Sequence, residues 1–304
     1  MNDPGHDRIP AEVLRTFPGA MAGSVDVSSS EAVAWRLEVT PSLVAELRAE
    51  TAWHLDGLER LGYHDVVIGL SGGLDSVVAT AIARDAAVGR RHVRAVTVDL
   101  GRPGDGARTR ATRDSASRLG VEHIVVMGAA VRESLELACP RTGPWSSINT
   151  DTRTIQACIG RVADATGSSV ISTVDLSERL LGRFTEGFYG QIAPLGLLYK
   201  TEVDALATQM GVRSSIIDSR PGCDDHWYDD EILGAPYGVL DPVLHLLSFE
   251  RLSIDQVAST LRIHDRAWLE RLDFRLRTQP LRVNTAAMLT SRRTDPGSTR
   301  LARR

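Results

Sequence analysis

The six residues Ser71-Gly72-Gly73-Leu74-Asp75-Ser76 combine the types that hold a phosphate. Glycines let a backbone turn approach an anion closely and adopt dihedrals closed to other residues. The N–H groups of such a turn, with those of a following helix, converge on one point and favour negative charge there. Ser71 and Ser76 add hydroxyl donors. Asp75 is out of place on its own, because a carboxylate repels phosphate. It fits if it holds a divalent cation bridging to phosphate oxygens. The stretch is not the GxxxxGK[ST] loop of P-loop proteins. A second feature stands far along the chain. Lys200 is the only lysine among 35 basic residues, and every other basic position is arginine.

A turn closed by an N-capping Asp or Ser is the plainer reading of such a stretch. Its flanks argue against that. "DVVIGL" before it (65–70) is, after Asp65, a short apolar run, as expected of a buried parallel strand. "VVATAIARDAAVG" after it (77–89) has helical spacing. The loop SGGLDS therefore joins a strand to a helix. Upstream, residues 41–62 carry apolar side chains at helical spacing with Pro41 near the start. Downstream the alternation continues: strand 92–100, helix 106–120, strand 122–128, helix 152–167, strand 169–174 and helix 200–211. Strand–helix alternation of this length predicts an α/β fold, a doubly wound parallel sheet. After about residue 245 only helical patterns remain, at 253–263 and 265–277. The expected organisation is an N-terminal extension over 1–40, an α/β domain over 41–250, a C-terminal helical part over 251–290 and a basic tail over 291–304.

The bulk numbers exclude several classes. The chain has 304 residues, 42% hydrophobic and 24% charged, with net charge -4, which is ordinary globular composition and no coat for nucleic acid. No apolar run is long enough to span a membrane. No signal layout opens the chain. Cys139, Cys158 and Cys223 are far apart and form no CxxC pair, so neither a disulfide framework nor a zinc site is expected. These points read as a reduced, cytoplasmic protein. The arginine-for-lysine usage reads as codon bias.

The glycine turn resembles the SGGxDS pyrophosphate loop of the ATP pyrophosphatases, and four further stretches narrow the branch. "STVDLSERLLGRFT" (172–185) is similar to the NAD synthase pattern G-T-[GD]-x-x-[SA]-E-x-x-x-G-[FY]-F-T. "PLGLLYKTEVDALATQMGV" (194–212) is similar to P-[IL]-x-x-L-x-K-T-x-V-x-x-L-A-x-x-[LM]-G-[VA]. "DDEILGAPYGVLDPVL" (229–244) is similar to D-E-x-x-L-G-[VI]-x-Y-x-x-I-D-x-x-L. "NTDTRTIQ" (149–156) is a weaker echo of N-[VI]-x-A-R-x-R-M. The resemblance runs in order over about residues 41–290. It implies an adenine nucleotide alpha hydrolase-like, Rossmann-like fold. It also implies an AMP-forming C–N ligase that uses ATP and Mg²⁺ to activate a carboxylate, with a homodimer as the working unit. Ser71, Gly72, Gly73, Asp75, Ser76, Thr173, Lys200 and Gly222 would then contact ATP. Asp75 and Glu178 would hold Mg²⁺, and Lys200 and Asp75 would carry the catalytic burden. A compact ammonium suits crowded phosphate oxygens differently from a planar guanidinium, which gives the lone lysine a reason to persist.

The departures from the pattern fall mostly on the acid-substrate side. Glu186 stands in place of a lysine, the loop "EGFYGQIAP" is shorter and apolar around Phe188 and Tyr189, and Gln191 replaces an aspartate. Arg153 is retained, while Ile155 replaces a second arginine. Near the C-terminus Pro280 and Leu281 stand for a His-Lys pair. On the ATP side Gly222 departs, losing a hydroxyl but keeping its N–H. A diphosphate-bearing acid wants cations, so these changes point to a carboxylic acid other than deamido-NAD, attacked by ammonia or an amine. Residues 219–230 are the expected lid, and His226 within them a possible base. Two other readings stand beside this one: an authentic ammonia-dependent NAD synthase, and a nucleotide-binding homologue without catalysis. A tRNA-thiolating branch lacks the basic surface or paired cysteines it would need.

Overall fold

The computed structural model describes residues 37–140, 144–185, 187, 190–219, 221–223 and 227–278. The pattern of apolar runs is realised as a parallel sheet of β1 (Asp65–Gly69), β2 (Val93–Asp99), β3 (Glu122–Met127) and β4 (Ser168–Ile171), in the order β3-β2-β1-β4. Central β1 is buried on both faces, and its side chains alternate between two cores. Val66 and Ile68 face one with Val78, Ile82, Val203 and Leu206, while Val67 faces the other with Val96, Cys158 and Ile159. Two covered faces are the reason β1 is continuously apolar.

Helices α1 (Pro41–Glu59), α2 (Leu74–Ala87), α3 (Asp105–Leu119), α4 (Ala129–Ala138) and α5 (Pro144–Thr166) fill the connections. Thr40 caps α1, its hydroxyl accepting from the Leu43 N–H, with proline in the first turn as its φ allows. The winding leaves β1 outward through β2 to β3, then returns across α5 to β4 on the other side. That reversal puts a crevice beyond the C-terminal ends of β1 and β4, where doubly wound sheets bind their ligands.

Up to β4, three features differ from the sequence reading. Helix α2 begins at Leu74, so Asp75 and Ser76 lie in its first turn and not in a loop; Gly73, in extended conformation, is the N-cap. Helix α5 starts eight residues earlier than the expected 152, at Pro144. The polar run "SSINTD" hid that start; Thr150, Thr152 and Thr154 each bond the carbonyl four residues back, which lets polar residues continue the helix. Helix α4 was not anticipated at all.

After β4 come α6 (Leu176–Leu181), α7 (Lys200–Gln209), α8 (Ser214–Ile217), a two-residue ribbon of β5 (Gly222–Cys223) with β6 (Trp227–Tyr228), α9 (Asp229–Leu233), α10 (Tyr237–Ser248), α11 (Ile254–Leu261) and α12 (Arg266–Thr278). Leu176, Ile232, Leu240, Val257, Trp268 and Leu272 share one core. The indole N–H of Trp268 donates to the Leu233 carbonyl at 2.8 Å. The helices after residue 250 therefore brace the turns that follow β4. Among the described residues no helix is long and apolar enough to cross a membrane.

Candidate active site

The site is built from two turns on opposite sides of the β1–β4 crevice. On the β1 side Gly72 has φ +92°, which only glycine adopts without strain, and a Cβ there would meet Thr112 at 3.4 Å. Gly73 does not share that conformation, with φ -73°. Its place in the turn rests on the hydroxyl network. Ser76 Oγ donates to the Gly73 carbonyl at 2.8 Å, and the Gly73 N–H donates to Ser71 Oγ at 3.3 Å. The Ser71 N–H reaches Ser76 Oγ at 3.3 Å. The two serines thus shape the turn at the N-terminus of α2.

On the β4 side the chain turns at Asp175, which caps α6. Its carboxylate accepts from the Glu178 N–H at 2.7 Å, and Glu178 Oε2 accepts from the Asp175 N–H at 3.2 Å. This reciprocal cap fixes both carboxylates. Lys200 is the first residue of α7 and only 4% exposed. Its Nζ lies 2.6 Å from Asp75 Oδ2, 2.9 Å from Asp175 Oδ2 and 3.9 Å from Glu178 Oε1. The Tyr237 ring covers it, with the centroid 5.6 Å away.

The backbone of Lys200 is held just as firmly. Its N–H donates to Ser177 Oγ at 2.9 Å, and Ser177 Oγ donates to Asp241 Oδ1 at 2.6 Å. Asp241 Oδ2 accepts from the Thr201 N–H at 3.0 Å. Asp241, from α10, is fully buried and serves the first N–H groups of α7, that of Thr201 directly and that of Lys200 through Ser177.

Burial and proximity shift these groups together. Burial works against the Lys200 charge, but Asp175, Asp75 and Glu178 outweigh it and raise the ammonium well above its ordinary range. Burial pushes Asp175 up to about 6, with Lys200 pulling against it and Asp75 adding to the rise. Burial likewise raises Glu178 well above the usual carboxylate range, opposed by Lys200 and reinforced by Asp175, Asp75 and Asp229. Burial pushes Asp241 up to about 7, against its hydrogen bonds from Ser177 and Thr201.

Asp75 Oδ1 is buried with no hydrogen-bond partner. Asp75 and Glu178 supply hard oxygen donors of the kind Mg²⁺ takes, and the free oxygen of Asp75 fits such an ion. Among the described residues no three acidic, His or Cys side chains are grouped as a metal cage. An ion here would complete its shell with phosphate oxygens and water, the usual habit of Mg²⁺.

The structure therefore brings Ser71, Gly72, Gly73, Asp75, Ser76, Glu178 and Lys200 together. Thr173 is half-buried just past the end of β4. Gly222 is exposed and pairs with Tyr228 across the small ribbon. Arg153 is exposed on α5, and Ile155 packs beside the core under the sheet. The Gln191 side-chain carbonyl accepts from the Val170 N–H at 2.7 Å and so completes the edge of β4. Glu186, Phe188, Tyr189, His226, Pro280, Leu281 and the tail lie outside the described residues. Sequence reasoning missed Asp175, Ser177, Tyr237 and Asp241. The D-x-x-E spacing of Asp175 and Glu178 was a readable cap signal. The other three match fixed positions of the family patterns, but their roles arise from tertiary approach.

A glycine turn facing a caged lysine, at the reversal point of a parallel sheet, defines a nucleotide-binding protein of the adenine nucleotide alpha hydrolase-like fold. A sequence profile of the NAD synthase family matches residues 46–278, and the chain belongs to that family. With the family, it is a C–N bond-forming ligase. An NH3-dependent NAD(+) synthetase of Pyrococcus horikoshii is 30% identical over 217 residues, 69% of this chain and 82% of its own. One from Chlorobaculum tepidum is 28% identical over 206 residues, 66% of this chain and 73% of its own. Among solved structures, the NH3-dependent NAD synthetase from Campylobacter jejuni superposes with a TM-score of 0.66 at 20% identity, covering 81% of this chain and 99% of that one. The NMN synthetase from Francisella tularensis gives 0.65 at 22% identity, covering 83% and 99%. These two likenesses establish the fold.

Proposed function

We propose that this chain uses ATP to activate a carboxylic acid as its adenylate and passes the acyl group to ammonia or an amine, and that the acid is not deamido-NAD. The observation that carries the first half is the Lys200 ammonium, held between Asp75 of the glycine turn and Asp175 of the facing turn. The α2 N-terminus and the turn N–H groups take the phosphates. Lys200 shifts its donors from carboxylate to phosphate oxygens and stays charged while negative charge moves onto the leaving pyrophosphate. Mg²⁺, held by Asp75 and Glu178, would add neutralising charge at the same oxygens. The substrate carboxylate attacks the α-phosphorus and pyrophosphate leaves. The amine then attacks the acyl carbon and AMP leaves. No side chain of this protein needs to act as a nucleophile.

The substrate half rests on the reversed charge at Glu186 and on Gln191, which has no charge and gives its carbonyl to the sheet edge. The printed names of the fold's neighbours include both a dinucleotide and a mononucleotide synthetase, so fold alone leaves the acid open. A second reading, authentic ammonia-dependent NAD synthase, is favoured by the names of the sequence relatives. Exposed Met127, Val131, Leu135 and Leu137 along β3 and α4 support a homodimer. Purified protein supplied with ATP, Mg²⁺, ammonia and deamido-NAD is expected to form little NAD, and to release AMP with some member of a panel of smaller acids. Brisk NAD formation overturns the altered-substrate reading. No AMP release with any acid favours a homologue without catalysis.

A further inference from the structure

Arg183 breaks the pattern on which the resemblance rests: NAD synthases carry Phe or Tyr after the glycine of "LLGRFT", and this chain carries arginine. The position is fixed by backbone. Gly182 ends α6 in the left-handed conformation, and the Arg183 N–H donates to the Glu178 carbonyl at 2.8 Å. The Arg183 side chain is only 7% exposed and pairs through its guanidinium with Asp229, which is equally buried. Asp229 opens α9 at the foot of the β5–β6 ribbon, and its N–H donates to the Pro221 carbonyl at 2.9 Å. Its second oxygen accepts from the Tyr237 hydroxyl at 2.7 Å. Tyr237 is the ring that covers Lys200.

The electrostatics of this arrangement need Arg183. Lys200 already faces the carboxylates of Asp75, Asp175 and Glu178. Asp229 adds negative charge felt at both Glu178 and Tyr237. A buried carboxylate without its own cation is costly and draws on whatever cation is near. The guanidinium supplies that cation, so the ammonium stays with the glycine turn.

We propose that Arg183 is a positioning residue for Lys200: by neutralising Asp229 it keeps Tyr237 against the ammonium and removes a competing carboxylate. This rests on Lys200 being the phosphate-binding lysine, but the chain offers a test that does not. Because Lys200 is the only lysine, protein labelled with ¹³C at the lysine ε-carbon gives one side-chain signal.

The full-length parent is compared with Arg183→Met and with Arg183→Met/Asp229→Asn. An asparagine there still accepts from the Tyr237 hydroxyl but carries no charge. The expected result is a displaced ε-carbon signal in the single variant and a return toward the parent position in the double. MgATP affinity by calorimetry is expected to fall about tenfold in the single variant and to recover to within about threefold in the double. An unmoved signal in a folded Arg183→Met protein, or a double variant no closer to the parent than the single, overturns the proposal. If Arg183→Met does not fold, an Asp229→Asn signal displaced as far as a Tyr237→Phe signal overturns it, since a neutral acceptor at 229 would then fail to keep Tyr237 against the ammonium. A parent that gives the expected signals yet binds no MgATP leaves Arg183 in place and removes the adenylation reading instead.

Discussion

Replacing Lys200 by methionine keeps most of the side-chain volume and deletes the charge. The expected loss is large, because the cation holding Asp75 and Asp175 at 2.6 and 2.9 Å disappears from a site where Lys200 is 4% exposed and Asp175 fully buried. Removing one partner of a buried ion pair costs about 3–5 kcal/mol. For a chain this size that lowers the melting temperature by roughly 5–8 °C. The loss also carries a pH signature. Asp175 is raised to about 6 with Lys200 present, and without it the carboxyl rises further. The folded variant therefore takes up a proton that relieves the repulsion as pH falls, so its deficit relative to the parent shrinks between about pH 8 and about pH 5. Thermal melts followed by circular dichroism at both pH values measure this. Lys200→Arg restores charge but not shape, and is expected to remain destabilised by about 1–3 kcal/mol through overpacking. A methionine variant that melts with the parent at about pH 8, or that shows the same deficit at both pH values, refutes the assignment of Lys200 as the counterion of this cluster.

Two further perturbations probe the frame around the lysine. Gly190 has φ +82°, and a Cβ there would lie 2.6 Å from the Val170 carbonyl oxygen and 2.9 Å from the Ser172 nitrogen. Gly190→Ala is therefore expected to cost about 2–4 kcal/mol in urea unfolding, and a change under about 0.5 kcal/mol refutes the close approach. Asp241 is raised to about 7, against about 3.9 in an unfolded chain. Its contribution to stability is thus fully present below about pH 4 and lost as pH rises through 7, up to about 4 kcal/mol for a group this buried. Asp241→Asn is expected to flatten that part of the urea-unfolding profile, and an unchanged slope refutes it.

The sheet was legible because β1, β2 and β4 are covered on both faces, which leaves Val- and Ile-bearing runs between glycine-marked turns. Helix α4 carries the weakest signature, whereas the edge strand β3 stayed legible through its Ile-Val-Val-Met run. Every residue of β3 is at least partly exposed, and α4 buries none of its side chains. The expected lid over 219–230 contains a short ribbon whose two-residue strands leave no periodicity to read. The phosphate turn was legible because its chemistry is local, with six consecutive residues between one strand and one helix. The lysine cage was only half legible. Asp75, Glu178 and Lys200 were assigned roles through the resemblance, whereas Asp175, Asp241 and Tyr237, which act through tertiary contacts, stand 25, 41 and 37 positions from Lys200.

That long-range half changes the reason for the lone lysine. A phosphate ligand alone could be arginine, which binds phosphate well through its planar fork. The cage is the stricter demand. Its two short contacts and one longer one come from two facing turns, and an ammonium turns three donors around a single atom. A guanidinium spreads its donors over a rigid plane, and the Tyr237 ring and the Ser177–Asp241 support leave the Lys200 backbone no room to retreat. The pressure that kept lysine here acts in the empty enzyme as well as in the nucleotide complex. It follows that a chain which had given up catalysis would still resist arginine at this position, so the survival of Lys200 argues for an intact charge cluster, and turnover must be judged by the release of AMP.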